Sequence, residues 1–204
     1  MGYKHVIFDF NGTLVNSLDV IEDVLNGLIA RSRFKELTPR DFEKVRSLPF
    51  GKKARVLLFF AKYQKEFLRQ FHENIARVKF VEGVKETLVL LNEKNIEFSI
   101  LSGNTQAMIT DFFKLHGISV KQIYQSQRLF GKYRRLKKII KQSRCKSADV
   151  LYICDEVRDV SACNKSGVDA IFVKWGIDAA ADLTGLKLKA VAETPEQLSE
   201  LLTG

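Results

Sequence analysis

The chain has 204 residues, 46% hydrophobic and 28% charged, the composition of a globular protein with one sizeable core or a core carrying a smaller inserted domain. No apolar run approaches bilayer length, and the opening MGYKHVIFDF lacks a signal peptide's long apolar region and cleavage site, so no membrane partner is expected and the expected location is cytoplasmic. The formal net charge of +9 raises two options, nucleic-acid binding or attraction of small anionic substrates.

In chain order, YKHVIFDF is a β-branched and aromatic run and predicts a first strand. From Ser17 to about Ala30 the pattern places Leu18, Ile21, Val24, Leu25, Leu28 and Ile29 on one helical face. LTPRDFEKVRSL predicts a second helix, with Thr38 as N-cap and Pro39 at its first position. LPFG (48–51) reads as a loop and 52–75 as a third helix.

The texture then changes. EGVKETLVLLNEKN predicts a helix, IEFSILSGN a strand and its loop, and TQAMITDFFKLHG a helix stopped at Gly117. DVLYICDE is a buried strand, VRDVSACNKSG a helix, VDAIFVKWG a strand and TPEQLSELL a capped terminal helix. This alternation predicts an α/β fold, a doubly wound (Rossmann-like) parallel sheet over 1–14 and 81–204, with a small helical domain inserted at 15–80.

The basic residues concentrate in GKYRRLKKIIKQSRCK (131–146), where eight Lys and Arg meet no acid. A solvated helix face is the preferred reading, because no aromatic stacking platform accompanies the run, and no nucleic-acid partner is expected. Cys145, Cys154 and Cys163 are an odd number without metal-type spacing, and read as reduced thiols.

In open parallel sheets, ligands bind beyond the carboxyl ends of the strands. Here one strand ends at Asp9, another at Ser102-Gly103-Asn104 and a third at Asp155-Glu156, while Lys132 begins the basic helix. Singly these are turn and cap residues. Together they describe a phosphate site: carboxylates at two strand tips can share a hard dication such as Mg²⁺, a small hydroxyl with flanking N–H groups can hold phosphate oxygens, and a lysine balances the charge. Gly12 lets the backbone turn sharply beside the ligand.

The order DFNGTLV, ILSGN, GKYRRLKKI, YICDEVRD resembles the four motifs of the haloacid dehalogenase superfamily, over nearly the whole chain, and most closely its phosphoglycolate phosphatase-like branch. The resemblance implies a Mg²⁺-dependent hydrolase of a small phosphorylated metabolite and a helical cap after the first motif. Asp9 is implied as the nucleophile that forms an aspartyl-phosphate. Ser102, Gly103 and Asn104 are implied as phosphate-binding, and Lys132 as the residue that steadies nucleophile and phosphate. The implied metal ligands are Asp9, Asp155 and the backbone carbonyl of Asn11, with Glu156 and Asp159 behind them. Cap loops carry specificity in this family, which makes Phe50, Lys52 and Arg55 candidates for substrate contact, against a solvated helix start as the plain alternative.

Two positions depart from the family pattern. Cys154 stands where a glycine usually precedes the metal aspartate. Asn11 stands where family phosphatases carry an aspartate that protonates the leaving oxygen and then deprotonates water. An amide can do neither, and losing a positioned general acid costs about 10²–10⁴-fold. Neither His5 nor His72 offers a substitute base by position, and His116 reads as a cap or surface residue. Four readings stay open: a phosphatase with weakened chemistry, a substituted chain made to trap a complex, a phosphate-binding or regulatory protein that keeps the pocket, or a phosphonatase- or dehalogenase-type relative that never needed the acid. For a phosphonatase, Lys52 or Lys53 would be the Schiff-base lysine.

Overall fold

A computed structural model describes residues 2–43, 45, 48–126, 131–143 and 145–204. It holds a six-stranded sheet in which every neighbouring pair is parallel. Its strands are β1 (His5–Phe8), β4 (Phe98–Ser102), β5 (Gln122–Gln125), β6 (Val150–Cys154), β7 (Asp169–Val173) and β8 (Ala190–Ala192), in spatial order β5-β4-β1-β6-β7-β8. Every residue of β1, β4 and β6 is buried, the signature of strands covered on both faces. The doubly wound α/β class expected from the sequence is the one observed.

The helices of this unit are α4 (Val84–Glu93), α5 (Gln106–His116), α6 (Lys132–Ser143), α7 (Val157–Ser166) and α8 (Pro195–Thr203). Thr105 caps α5 by accepting the Met108 N–H at 3.3 Å, and Gly117 ends it at φ +67°, as the sequence suggested. On one sheet face Ile7, Leu101, Tyr152 and Phe172 pack with Leu136 and Ile139 of α6 and Val160 and Cys163 of α7. The basic helix is therefore amphipathic: Leu136 and Ile139 point inward, whereas Lys137, Lys138 and Lys141 are exposed.

The chain divides into two compact units, Met1–Asn16 with Lys79–Gly204, and Ser17–Val78. The division is narrower than the 15–80 of the sequence reading. Val15–Asn16 (β2) pair antiparallel with Lys79–Phe80 (β3), and this short ribbon belongs to the sheet unit. The second unit contains α1 (Leu18–Ala30), α2 (Pro39–Glu43) and α3 (Phe50–Glu73). Its core joins Val24, Leu25, Leu28 and Ile29 to Phe34, Leu37, Val56 and Phe59, with Phe59 edge-on to Phe42 at 5.0 Å. Val20 is buried in α1, whereas Leu18, at the helix's first position, is exposed. The second helix is shorter than expected among the described residues; positions 44, 46 and 47 lie outside them.

Candidate active site

The strand order creates the site. β1 lies between β4 and β6, with Phe8 level with Ile100 on one side and Ile153 on the other. Two residues past those partners stand Ser102 and Asp155, and one residue past Phe8 stands Asp9. Asp9 continues the ladder, donating its N–H to the Ile153 carbonyl at 2.9 Å. Three polar tips thus meet where the chain changes direction across the sheet, the usual ligand position in this architecture.

Asp9 is buried. Its Oδ1 accepts the Phe10 N–H at 2.8 Å and its Oδ2 the Lys132 ammonium at 2.7 Å. The same ammonium reaches Oδ2 of Asp159, so the first residue of α6 bridges a strand tip to the first turn of α7. Burial pushes the Asp9 carboxyl above its ordinary range; Lys132 opposes that shift and favours the charged form, while Asp159, Asp155 and Glu156 add to it. Burial alone would lower Lys132, but Asp159 and then Asp9 outweigh it and hold the ammonium charged.

The turn after Asp9 is tight. Gly12 sits at φ +78° and donates its N–H to the Val15 carbonyl at 2.9 Å. A Cβ on Gly12 would lie 2.1 Å from Asp155 Oδ2, so the absent side chain is what lets β6 approach. Asn11 is half-buried, two residues from Asp9, and bridges to Val15. Ser102 closes β4 with its Oγ accepting the Asn104 N–H at 3.2 Å; Gly103 is exposed and Asn104 buried. Among the described residues, the buried Asn104 Nδ2 has no hydrogen-bond partner, a donor suited to an anionic oxygen.

Among the described residues, Asp9, Glu156 and Asp159 each offer a carboxylate oxygen within 4.8 Å of the others. In the structure, Asp155 Oδ1 accepts the Thr13 hydroxyl at 2.8 Å and Oδ2 the Ile177 N–H at 2.7 Å. Burial raises its carboxyl against both of those bonds. Glu156 is also raised by burial, with Arg158 ion-paired to it in opposition.

This donor set fits a hard dication. Among the described residues, four carboxylates, Asp9, Asp155, Glu156 and Asp159, face two cations, Lys132 and Arg158, a formal surplus of two negative charges when the acids are ionised. All the side-chain donors are oxygens, the preference of Mg²⁺ or Ca²⁺ rather than of a thiolate-seeking metal. Cys154, despite its place beside Asp155, is wholly buried in the sheet face, and burial holds its thiol protonated.

Phe50, Lys52 and Arg55 lie in the first turns of α3, which begins two residues before the expected start, so Phe50 and Gly51 are helical rather than loop. Phe50 is 89% exposed. Lys52 pairs with Asp41 at 2.7 Å and Arg55 with Glu36 at 2.7 Å, both inside the helical unit. His5 begins β1, at the end of the strand opposite Asp9, and His116 packs its ring on Phe112 and Phe80. Sequence reasoning gave no role to Thr13, Arg158 or Trp175. The Trp175 indole donates to the Thr13 carbonyl at 3.0 Å; a contact across 162 positions leaves no local trace in sequence.

Residues 6–173 match the family described as haloacid dehalogenase-like hydrolase. The chain is 27% identical over 211 residues to the phosphoglycolate phosphatase of Synechococcus elongatus, a match covering 97% of this chain and 96% of that protein. In fold it is similar to a protein from Lactobacillus delbrueckii subsp. bulgaricus assigned as a phosphoglycolate phosphatase, with a TM-score of 0.79, 16% identity and full coverage of both chains. A haloacid dehalogenase-like hydrolase structure from Bacteroides fragilis aligns with a TM-score of 0.77 at 19% identity, covering 96% of this chain and 99% of that one.

Proposed function

The chain belongs to the haloacid dehalogenase-like hydrolase family, and from that premise we propose that it is a phosphatase of small phosphate monoesters working through an aspartyl-phosphate on Asp9. The observation that carries this reading is the setting of the Asp9 carboxylate. It is buried at a strand tip and fixed from both sides by the Phe10 N–H and Lys132. Each of its oxygens keeps a further lone pair. Phosphoglycolate, named for the Synechococcus relative, is the first substrate to try.

In the first step an Asp9 oxygen attacks phosphorus, and the ester oxygen leaves with the bond's electron pair and takes a proton from solvent. In the second, water attacks that phosphorus and gives its proton to solvent, the phosphorus–oxygen bond to Asp9 breaks, phosphate departs and the carboxylate is restored. The Ser102 hydroxyl, the Gly103 and Asn104 N–H groups and the Asn104 Nδ2 orient phosphate oxygens, and Lys132 offsets the charge that Asp9 and phosphate bring together. Asp9, Glu156 and Asp159 would hold Mg²⁺ together with Asp155, whose carboxylate retains lone pairs beyond its two hydrogen bonds, and the Asn11 carbonyl. When bound, Mg²⁺ supplies Lewis-acid polarisation of phosphate oxygens and neutralises the acidic surplus.

Asn11 favours a second reading, a phosphate-binding or regulatory protein with a relic site, because its amide carries no titratable proton near neutral pH. One measurement separates the two. Intact mass is followed after mixing the chain with Mg²⁺ and an acyl or aryl phosphate, whose leaving groups need no proton. A gain of one phosphoryl group that is absent from Asp9→Asn supports the phosphatase; no phosphorylated Asp9 with either reagent supports the binding protein.

A further inference from the structure

Asp155 is enclosed by one short segment, Trp175–Asp178, that follows β7. The Ile177 N–H bonds its Oδ2 at 2.7 Å, and the Asp178 N–H bonds its carbonyl at 3.3 Å. Asp178 Oδ2 in turn accepts the Val157 N–H at 2.9 Å, at the start of α7. A Cβ on Gly176 would fall 2.2 Å from the Asp155 Cβ, so this backbone passes directly against the side chain. From the same segment, the Trp175 indole N–H reaches across to the Thr13 carbonyl at 3.0 Å, while the Thr13 hydroxyl holds Asp155 Oδ1 at 2.8 Å. The loop that carries Asn11 and the tip that carries Asp155 are therefore joined by one connected set of hydrogen bonds, with Trp175 at its outer end.

We infer that Trp175 is a positioning residue of the site, acting through Thr13 to fix Asp155 and the 9–13 turn in the arrangement that receives a divalent cation. The inference rests on the proposed reading of the acidic cluster as a Mg²⁺ site. Groups that orient a ligating carboxylate set metal affinity nearly as much as the ligand itself, and their loss commonly costs about 10–100-fold. Trp175 is the only tryptophan of the chain, so its emission reports the clasp directly.

The test uses the full chain, Mg²⁺ alone as probe, and two readouts. Calorimetry gives Mg²⁺ affinity for the unaltered protein, Trp175→Phe, Thr13→Val and Thr13→Ser. Trp175→Phe keeps an aromatic ring, though a smaller one, and loses the N–H donor; it should weaken Mg²⁺ binding about tenfold. Thr13→Val should weaken it at least as much, Thr13→Ser should restore it, and the double variant should be no worse than Thr13→Val, because both changes cut one path. In the unaltered protein, Trp175 emission should change with Mg²⁺ at the calorimetric midpoint, a readout that survives even if a variant fails to fold. A Trp175→Phe protein that melts earlier yet binds Mg²⁺ as before would overturn the inference, as would silent emission during measurable binding. If the unaltered chain takes up no Mg²⁺, the metal-site reading falls and carries the inference with it.

Discussion

Lys132 gives its ammonium to Asp9 Oδ2 at 2.7 Å while also holding Asp159, so a single side chain ties the tip of β1 to α7. It lies over the Tyr152 ring, 5.7 Å from the centroid, on the wholly buried side of the sheet. Removing this charge leaves several acids facing one another, and breaking a buried pair costs about 3–5 kcal/mol. Lys132→Met should melt earlier and lose about 10²–10³-fold in phosphate release. Added Mg²⁺ should raise its melting temperature more than it raises that of the unaltered protein. Thermal melts with and without Mg²⁺ check this; equal Mg²⁺ responses would show that Lys132 does not balance the cluster.

Asn11→Asp should restore a proton donor to the turn beside Asp9. Turnover of alkyl phosphates such as phosphoglycolate should rise by about 10²–10⁴-fold. Aryl phosphates, whose leaving groups depart without protonation, should gain far less. Parallel phosphate-release assays on both substrate classes decide it, and an unchanged rate on every alkyl ester would remove the amide as the limiting feature.

Chelation should abolish turnover and Mg²⁺ should restore it. The gathering of Asp9, Glu156 and Asp159 oxygens further predicts that Asp159→Asn should weaken Mg²⁺ binding by calorimetry, as should Asp155→Asn. A loss confined to Asp155→Asn would mean that the Asp159 carboxylate serves Lys132 alone.

His5 gives a pH prediction remote from the acids. Its ring bonds Ser99 Oγ at 3.0 Å. Burial holds it below its ordinary value of 6.5, with Lys121 adding to the shift and Glu97 opposing it. The unfolded chain binds this proton at higher pH than the folded one. The neutral ring's contribution is therefore fully present above about 6.5 and is lost as pH falls below it. The raised carboxyls of Asp9, Asp155 and Glu156 act in the opposite sense, so the difference between two proteins isolates the histidine. Between pH 7.5 and 5, the melting temperature of the unaltered chain should drop relative to that of His5→Gln. Parallel curves would contradict the assignment.

The helices and central strands were legible because their information is local. Short runs rich in apolar residues announced β1, β4 and β6, and Gly117 and Thr194 marked helix ends, one by its lack of a side chain and one by its hydroxyl. The edge strands β5 and β8 escaped notice. QIYQ and AVA are short and only partly buried, and pairing rather than pattern makes them strands. The same holds for the β2–β3 ribbon, two residues to a side. In the site, Asp9, Ser102 and Lys132 stood out as polar residues where apolar periodicity stops.

Alone, then, the sequence determined the layer architecture and the polar residues at the strand tips, because periodicity and end signals act over a few neighbouring positions. Tertiary structure decided which tips meet. Placing β1 between β4 and β6 brought Asp9 to Ser102 and Asp155, turned Asp155 onto Thr13 and Ile177, and drew Glu156 and Asp159 toward Lys132. Those relationships depend on distances between residues up to 162 positions apart. Such distances are set by how twisted strands order themselves and pack, and no local property of the chain encodes them.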